Sequence, residues 1–213
     1  MNPYQETFET WNKIAQLYEE KFMDLALYNQ SYDAFCALLE KDNPKLLEIG
    51  CGPGNITKYL LSKHPHFNIL GIDVAPNMVQ LAKKNNPTAQ FEVMDTRNLN
   101  TITTTFDAIV CGFCLPYLSN EECSTLIRDC NNLLTERGIL YISFVEGNEK
   151  DSGYKTSNSG DRVFFNYHSL KQLEADLNLN AFTIEKTIKV DYPKQNDVEV
   201  HTIVIAKKKP LQK

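Results

Sequence analysis

The stretch from Lys45 to Thr57 constrains this chain more than any other. Leu46, Leu47 and Ile49 form a short apolar run with a carboxylate, Glu48, in its middle, and glycines follow at 50, 52 and 54. Glycines spaced this way supply positive φ or let the backbone approach a ligand closely. Ile56, Tyr59 and Leu60 then recur at helical spacing, with Asn55 expected at the N-cap. The stretch therefore reads as buried strand, bare turn and helix start. Such a turn presents a rim of backbone N–H donors to a ligand.

The rest of the chain repeats that unit. Strands are predicted at 45–50, 68–73, 89–94, 106–111 and 139–145, with Gly138 opening the last. Helices are predicted at 55–63 and from Pro76, which suits a first helical turn, to about 86. A third is opened by Ser119 and Glu122 as a capping box and buries Cys123, Leu126, Ile127, Cys130 and Leu134. This alternation gives an α/β fold with a doubly wound, mostly parallel sheet. A further helix follows Ser169 and Gln172. Alternating runs at 182–188 and 198–205, joined through 192–197, then read as an antiparallel C-terminal hairpin at the sheet edge, which makes seven strands.

Ahead of the first strand, residues 7–41 carry a helical period (Trp11, Ile14, Ala15, Tyr18, Phe22, then Tyr32, Phe35, Leu38, Leu39) broken near Tyr28 and Asn29. These helices either pack on the core or lie over the glycine turn as a cap. Residues 147–161 are rich in Gly, Ser and Asn without an apolar period and read as a long loop. The expected layout is a single domain: a helical cap over 1–42, a ligand-binding core over 43–146, and an acceptor-side loop, helix and hairpin over 147–213.

Charge and composition remove several functions. A net charge of −5 disfavours binding to nucleic acid or to an anionic membrane surface, and the one basic cluster, Lys207 to Lys209, reads as a solvated tail. No apolar run is long enough to span a bilayer, and residues 1–6 lack the pattern of a signal peptide, so a cytoplasmic protein is expected. The six cysteines read as reduced, buried thiols. Cys111 and Cys114 have C-x-x-C spacing, but no second pair completes a zinc site, so no metal is expected.

Ligands of doubly wound sheets bind beyond the carboxyl ends of the strands, where the strand order reverses. Those ends carry Glu48 and Gly50, Asp73, Asp95 and Cys111. A dinucleotide would need G-x-G-x-x-G, and Asn55 occupies the place of the last glycine. Glu48 is also unwelcome beside a pyrophosphate. S-adenosylmethionine carries a sulfonium and an ammonium and no phosphate, so a carboxylate near the turn favours it. Glu48-Ile-Gly50-Cys51-Gly52-Pro-Gly54 resembles the first motif of the class I S-adenosylmethionine-dependent methyltransferases. Gly71 to Met78 is similar to the second, Phe91 to Thr96 to the third, and Phe106 to Phe113 to the fourth. The resemblance covers residues 45–145 at the right mutual spacing.

That resemblance implies S-adenosylmethionine as cofactor and a role for each position. Asp73 would take the two ribose hydroxyls, Asp95 the adenine amine and the Thr96 backbone N–H a ring nitrogen, while Val74 and Met78 sandwich the base. Ala15 to Tyr18 resembles the family segment that covers the donor, with Tyr18 reaching its methionine end and Lys21 and Tyr28 as further candidates. Methyl transfer is an in-line displacement in which orientation carries much of the catalysis, so no catalytic residue is required unless the acceptor arrives protonated. His168 is the candidate base, with a plain helix-start role as its alternative. Phe113, Leu115 and Tyr117 suggest a partly apolar acceptor pocket, and Tyr154 and Arg162 are candidates to meet an anionic acceptor. Cys114-Leu115-Pro116-Tyr117 lacks the polar residue that begins the Asp/Asn-Pro-Pro-Tyr/Phe sequence of enzymes acting on base amines, which argues against nucleic-acid methylation. A small-molecule methyltransferase is therefore expected. The rival readings are a non-catalytic binder of the same donor and a nicotinamide-dependent oxidoreductase.

Overall fold

The computed structural model describes residues 3–157, 159–194 and 198–210. Helices α1 (Pro3–Lys13), α2 (Ala15–Phe22) and α3 (Asn29–Cys36) come first. Strands β1 (Lys45–Ile49), β2 (Asn68–Asp73), β3 (Gln90–Val93) and β4 (Phe106–Gly112) alternate with helices α4 (Asn55–Lys63) and α5 (Pro76–Asn85). Helix α6 (Asn120–Leu133) leads into β5 (Leu134–Val145). A ribbon of β6 (Gly153–Thr156) and β7 (Arg162–Phe165), helix α7 (Leu170–Leu179), and strands β8 (Phe182–Pro193) and β9 (Val198–Lys208) complete the chain.

Seven strands form one sheet in the order β3-β2-β1-β4-β5-β9-β8. The first five are parallel, and β9 runs antiparallel to both β5 and β8. The order reverses between β1 and β4, so a crevice opens there beyond the strand ends. Alternate residues of each strand face opposite sides. Leu47, Ile49, Ile109 and Ile142 pack with Leu126, Ile127 and Leu173 under α6 and α7. Leu46, Ile69, Val110 and Tyr141 pack with Tyr32, Phe35, Ile56 and Leu60 under α3 and α4. Both faces are covered, which is why the parallel strands read as near-continuous apolar runs.

Local chemistry shifts several expected boundaries. Gly54, at φ +83, is the N-cap of α4, and Asn55 is its first helical residue. β5 begins at Leu134, because a bulge opposite Phe106 and Ala108 with Arg137 at φ +64 carries the strand four residues further back; Gly138 lies inside it. The N-terminal helices break at Ile14 and again over 23–28, and α3 ends at Cys36. The 147–161 segment contains β6 (GYKT), which is too short and too polar to show an apolar period and pairs with the more apolar β7 (RVFF). The Ser119 capping box and the Ser169 cap form as expected. Of the connector expected at 192–197, residues 195–197 lie outside the described residues. All six cysteines are free thiols. No helix of the described residues is long and apolar enough to cross a membrane.

Candidate active site

The carboxyl ends of β1, β2 and β4, roofed by α1 and α2, enclose a cleft of about 950 Å³, mouth included. Gly50 and Gly52 form its floor at φ +67 and +53. The Gly52 N–H donates to Asp73 Oδ2 at 2.8 Å, and the Ala75 N–H donates to Oδ1 at 2.9 Å. The glycine turn and the end of β2 thus fix one carboxylate in the cleft wall. Burial raises the Asp73 pKa, and these backbone donors oppose that rise.

Along the wall follow Val74, Met78, Met94, Asp95 and Thr96. Asp95 caps the turn after β3 and accepts from the Arg97 N–H at 2.9 Å. It also pairs with the Arg97 guanidinium, with Nε at 2.9 and 3.1 Å and Nη2 at 2.5 Å. Burial pushes the Asp95 carboxyl up, but the Arg97 hydrogen bonds outweigh it and hold it below its ordinary range. Arg97 is itself stacked over Tyr4 at 4.5 Å and lies 3.8 Å from Glu122, which accepts the Tyr4 hydroxyl.

The roof is aromatic. Thr7, Phe8 and Trp11 of α1 and Tyr18 of α2 line it, and Gly112, Phe113, Cys114, Tyr117 and Leu118 line the facing side. Trp11 meets Tyr18 and Tyr117 edge-on, each with ring centroids 5.5 Å apart. Burial pushes the Tyr18 hydroxyl up to about 12 and the Tyr117 hydroxyl well above its ordinary value, so both stay neutral. Phe113 sits at φ +54, where its N–H donates to Ser143 O and Oγ at 3.2 and 3.0 Å. Two polar atoms of lining residues, Trp11 Nε1 and Thr96 Oγ1, are buried without a hydrogen-bond partner. Such groups are expensive to leave unmade.

Helix α1 is held over the cleft by the β6–β7 ribbon. Thr10 Oγ1 donates to Arg162 O at 2.8 Å, and the Phe164 N–H donates to Thr7 Oγ1 at 2.9 Å. Lys13 pairs with Asp161 at 2.7 Å, and Arg162 pairs with Glu6.

Against this geometry stand the known proteins that the chain resembles. Residues 46–138 match the family model described as a methyltransferase domain. A putative methyltransferase of Invertebrate iridescent virus 6 is 32% identical over 136 residues, 64% of this chain and 49% of that protein. An uncharacterized methyltransferase of Oceanobacillus iheyensis is 27% identical over 194 residues, 89% of this chain and 86% of that protein. The chain therefore spans about half the length of the viral relative and most of the bacterial one. The solved magnesium protoporphyrin IX methyltransferase of Synechocystis PCC 6803, with bound S-adenosylmethionine, shares the fold at a TM-score of 0.72 and 16% identity, covering 98% of each chain.

Over residues 46–138 the chain is similar to a methyltransferase domain, and its fold is shared with solved S-adenosylmethionine-dependent methyltransferases. The Synechocystis protein of like fold was solved with S-adenosylmethionine and with S-adenosylhomocysteine bound. The described lining residues offer a carboxylate at Asp73, apolar side chains at Val74 and Met78, and one basic side chain, Arg97.

The residues expected at the site divide in two. Tyr18, Gly50, Gly52, Asp73, Val74, Met78, Asp95, Thr96, Phe113 and Tyr117 line the cleft together. Glu48, Cys51, Gly54 and Cys111 do not. Glu48 is buried and accepts the Thr57 hydroxyl of α4; burial, then Asp73 nearby, pushes its carboxyl up to about 8. Cys51 packs against Val79, Ala82 and Phe91. Gly54 abuts Asn86, and Cys111 lies inside the core of β4.

His168, weighed as a base against a plain helix-start role, does not line the cleft. It is buried at 3% exposure, its Nε2 bonds Leu115 O at 2.8 Å and its Nδ1 faces Asn120 Oδ1 at 2.9 Å, so it props up the turn before Tyr117. Tyr154 and Arg162 stack on each other at 4.2 Å on the ribbon and do not line the cleft. Lys21 stacks on Phe22 at 5.0 Å, and Tyr28 bonds His201 Nδ1 at 2.7 Å. Sequence reasoning missed Tyr4, Thr7, Phe8 and Arg97. An arginine two residues after a strand-end aspartate was a usable signal for the last, since that spacing lets the guanidinium fold back on the carboxylate.

Proposed function

We propose that this protein transfers the methyl group of S-adenosylmethionine to a small-molecule acceptor. The observation that carries it is the two-sided cleft: a fixed carboxylate and apolar base slot on the strand ends, and an aromatic, water-excluding roof facing them. When bound, the cofactor supplies a methyl group activated by a sulfonium. In this reading Asp73 holds the ribose, Val74 and Met78 hold the adenine, and Asp95 with the Thr96 backbone fixes its edge. Tyr18 closes over the methionine end. Phe113 and Tyr117 orient the acceptor, and orientation in a dry site is the main catalytic contribution that such a displacement needs.

A small acceptor is favoured by the roof that α1 and α2 place over the cleft and by the acidic net charge. The Synechocystis protein of like fold acts, by its name, on a porphyrin. The functional layout is a cap over 1–42 and a core over 43–146 that holds both the donor and, at Phe113 and Tyr117, the acceptor, while 147–213 supports the cap through the β6–β7 ribbon. Incubation with methyl-labelled S-adenosylmethionine and a metabolite extract tests the proposal. Label in the low-molecular-weight fraction is expected; binding of S-adenosylhomocysteine with no transfer at all would leave a non-catalytic binder.

A further inference from the structure

Resting on that reading, we infer that the acceptor is an uncharged aromatic nitrogen compound, a heterocycle or arylamine whose lone pair is free at neutral pH. The first ground is charge. The charged side chains that line the cleft are Asp73, Asp95 and Arg97, and Arg97 is consumed by Asp95, Glu122 and the Tyr4 ring. The lining therefore offers no unengaged cation to a carboxylate or phosphate acceptor, and its net sign is negative. An anionic nucleophile would enter against that field without a partner.

The second ground is the lack of a base. Among the described residues lining the cleft there is no histidine or lysine. The Asp73 oxygens accept backbone N–H groups, Asp95 is locked to Arg97, and Cys114 hydrogen-bonds Cys111. Tyr18 and Tyr117 keep their protons at neutral pH. An alcohol or an aliphatic ammonium would need a proton removed, whereas an aromatic nitrogen attacks as it stands.

The third ground is the wall. Trp11, Tyr18 and Tyr117 present ring faces and edges to the same space, which suits a flat acceptor. The nitrogen lone pair forms the new N–C bond, sulfur keeps the electron pair of the C–S bond that breaks, and the positive charge passes from sulfur to nitrogen. An N–H, where present, is lost to water afterwards. The charge thus stays within a negative, ring-lined cleft throughout, and both features favour a cation there. Trp11 Nε1, buried and without a partner, is assigned to an oxygen or ring nitrogen elsewhere on the acceptor.

The test combines product chemistry with one variant. Labelled product from the metabolite extract is treated with mild alkali and passed over a cation exchanger at acidic pH. A base-stable, retained product is expected. Label released as volatile methanol, which marks a methyl ester, or a product that is not retained overturns the inference while the transferase reading stands. No binding of S-adenosylhomocysteine would overturn the transferase reading itself. Trp11→Phe keeps an aromatic ring in the wall and removes the N–H with the five-membered part of the indole. We expect it to raise the acceptor KM about 10-fold, the loss of one hydrogen bond to a buried donor, with unchanged Kd for S-adenosylhomocysteine. A raised Kd with unchanged KM would hand Trp11 to the donor and overturn its assignment.

Discussion

Asp73 is the residue on which the cleft turns, because one carboxylate serves two purposes. It ties the glycine turn to β2 through the Gly52 and Ala75 N–H groups, and it faces the cleft. Asp73→Asn keeps an acceptor for the backbone and loses the charged pair of oxygens. It should weaken S-adenosylhomocysteine binding on the order of 100-fold, about 3 kcal/mol, in a calorimetric titration, with far-UV dichroism unchanged. Gly52→Ala tests the floor. Its Cβ would stand 3.7 Å from Tyr18 Cε1 in a left-handed backbone that alanine resists by about 1–2 kcal/mol, so both stability and affinity should fall. Glu48 makes a pH prediction. Its folded pKa of about 8 lies above the ordinary 4.5, so the native state keeps a proton that the unfolded chain has lost. Stability then falls as pH rises between those values, by on the order of a few kcal/mol, and Glu48→Gln should flatten urea midpoints across that window. Asp73 and the turn glycines were legible because their positions at strand ends are covalently fixed by the pattern. The burial of Glu48 was not, because Thr57 reaches it only once α4 packs back on β1.

At the scale of elements, the roof is a joint product of sequence-distant parts. α1 reaches the cleft because β7, some 150 residues later, offers it an edge. Thr7 is buried and accepts the Phe164 N–H, so Thr7→Val leaves that donor unmade and should cost about 1–2 kcal/mol. In a thermal melt this is a fall of roughly 2–8 °C, and affinity for S-adenosylhomocysteine should drop with it. The ion pairs Lys13–Asp161 and Arg162–Glu6 sit at the surface, where salt screens them, so α1 docking should loosen as ionic strength rises. The α1–β7 seam could not be read in the chain. The 147–161 segment carries only the short polar strand of the ribbon, and its pairing with β7 depends on contacts rather than on period. The Ser119 capping box and the Pro76 start were legible because local chemistry alone fixes them.

At the scale of the molecule, the reversal of strand order between β1 and β4 creates the crevice, and everything specific about the protein is arranged around it. The parallel core announced itself through repeated strand and helix periods. The β5 bulge and the placement of His168 did not, because each depends on a partner strand or turn far away in sequence. The crevice is proposed as an S-adenosylmethionine site organised by Asp73. Isothermal titration of the whole chain with S-adenosylhomocysteine tests it most directly. One site that is lost in Asp73→Ala is the predicted result; no binding, or equal binding by the variant, would contradict it.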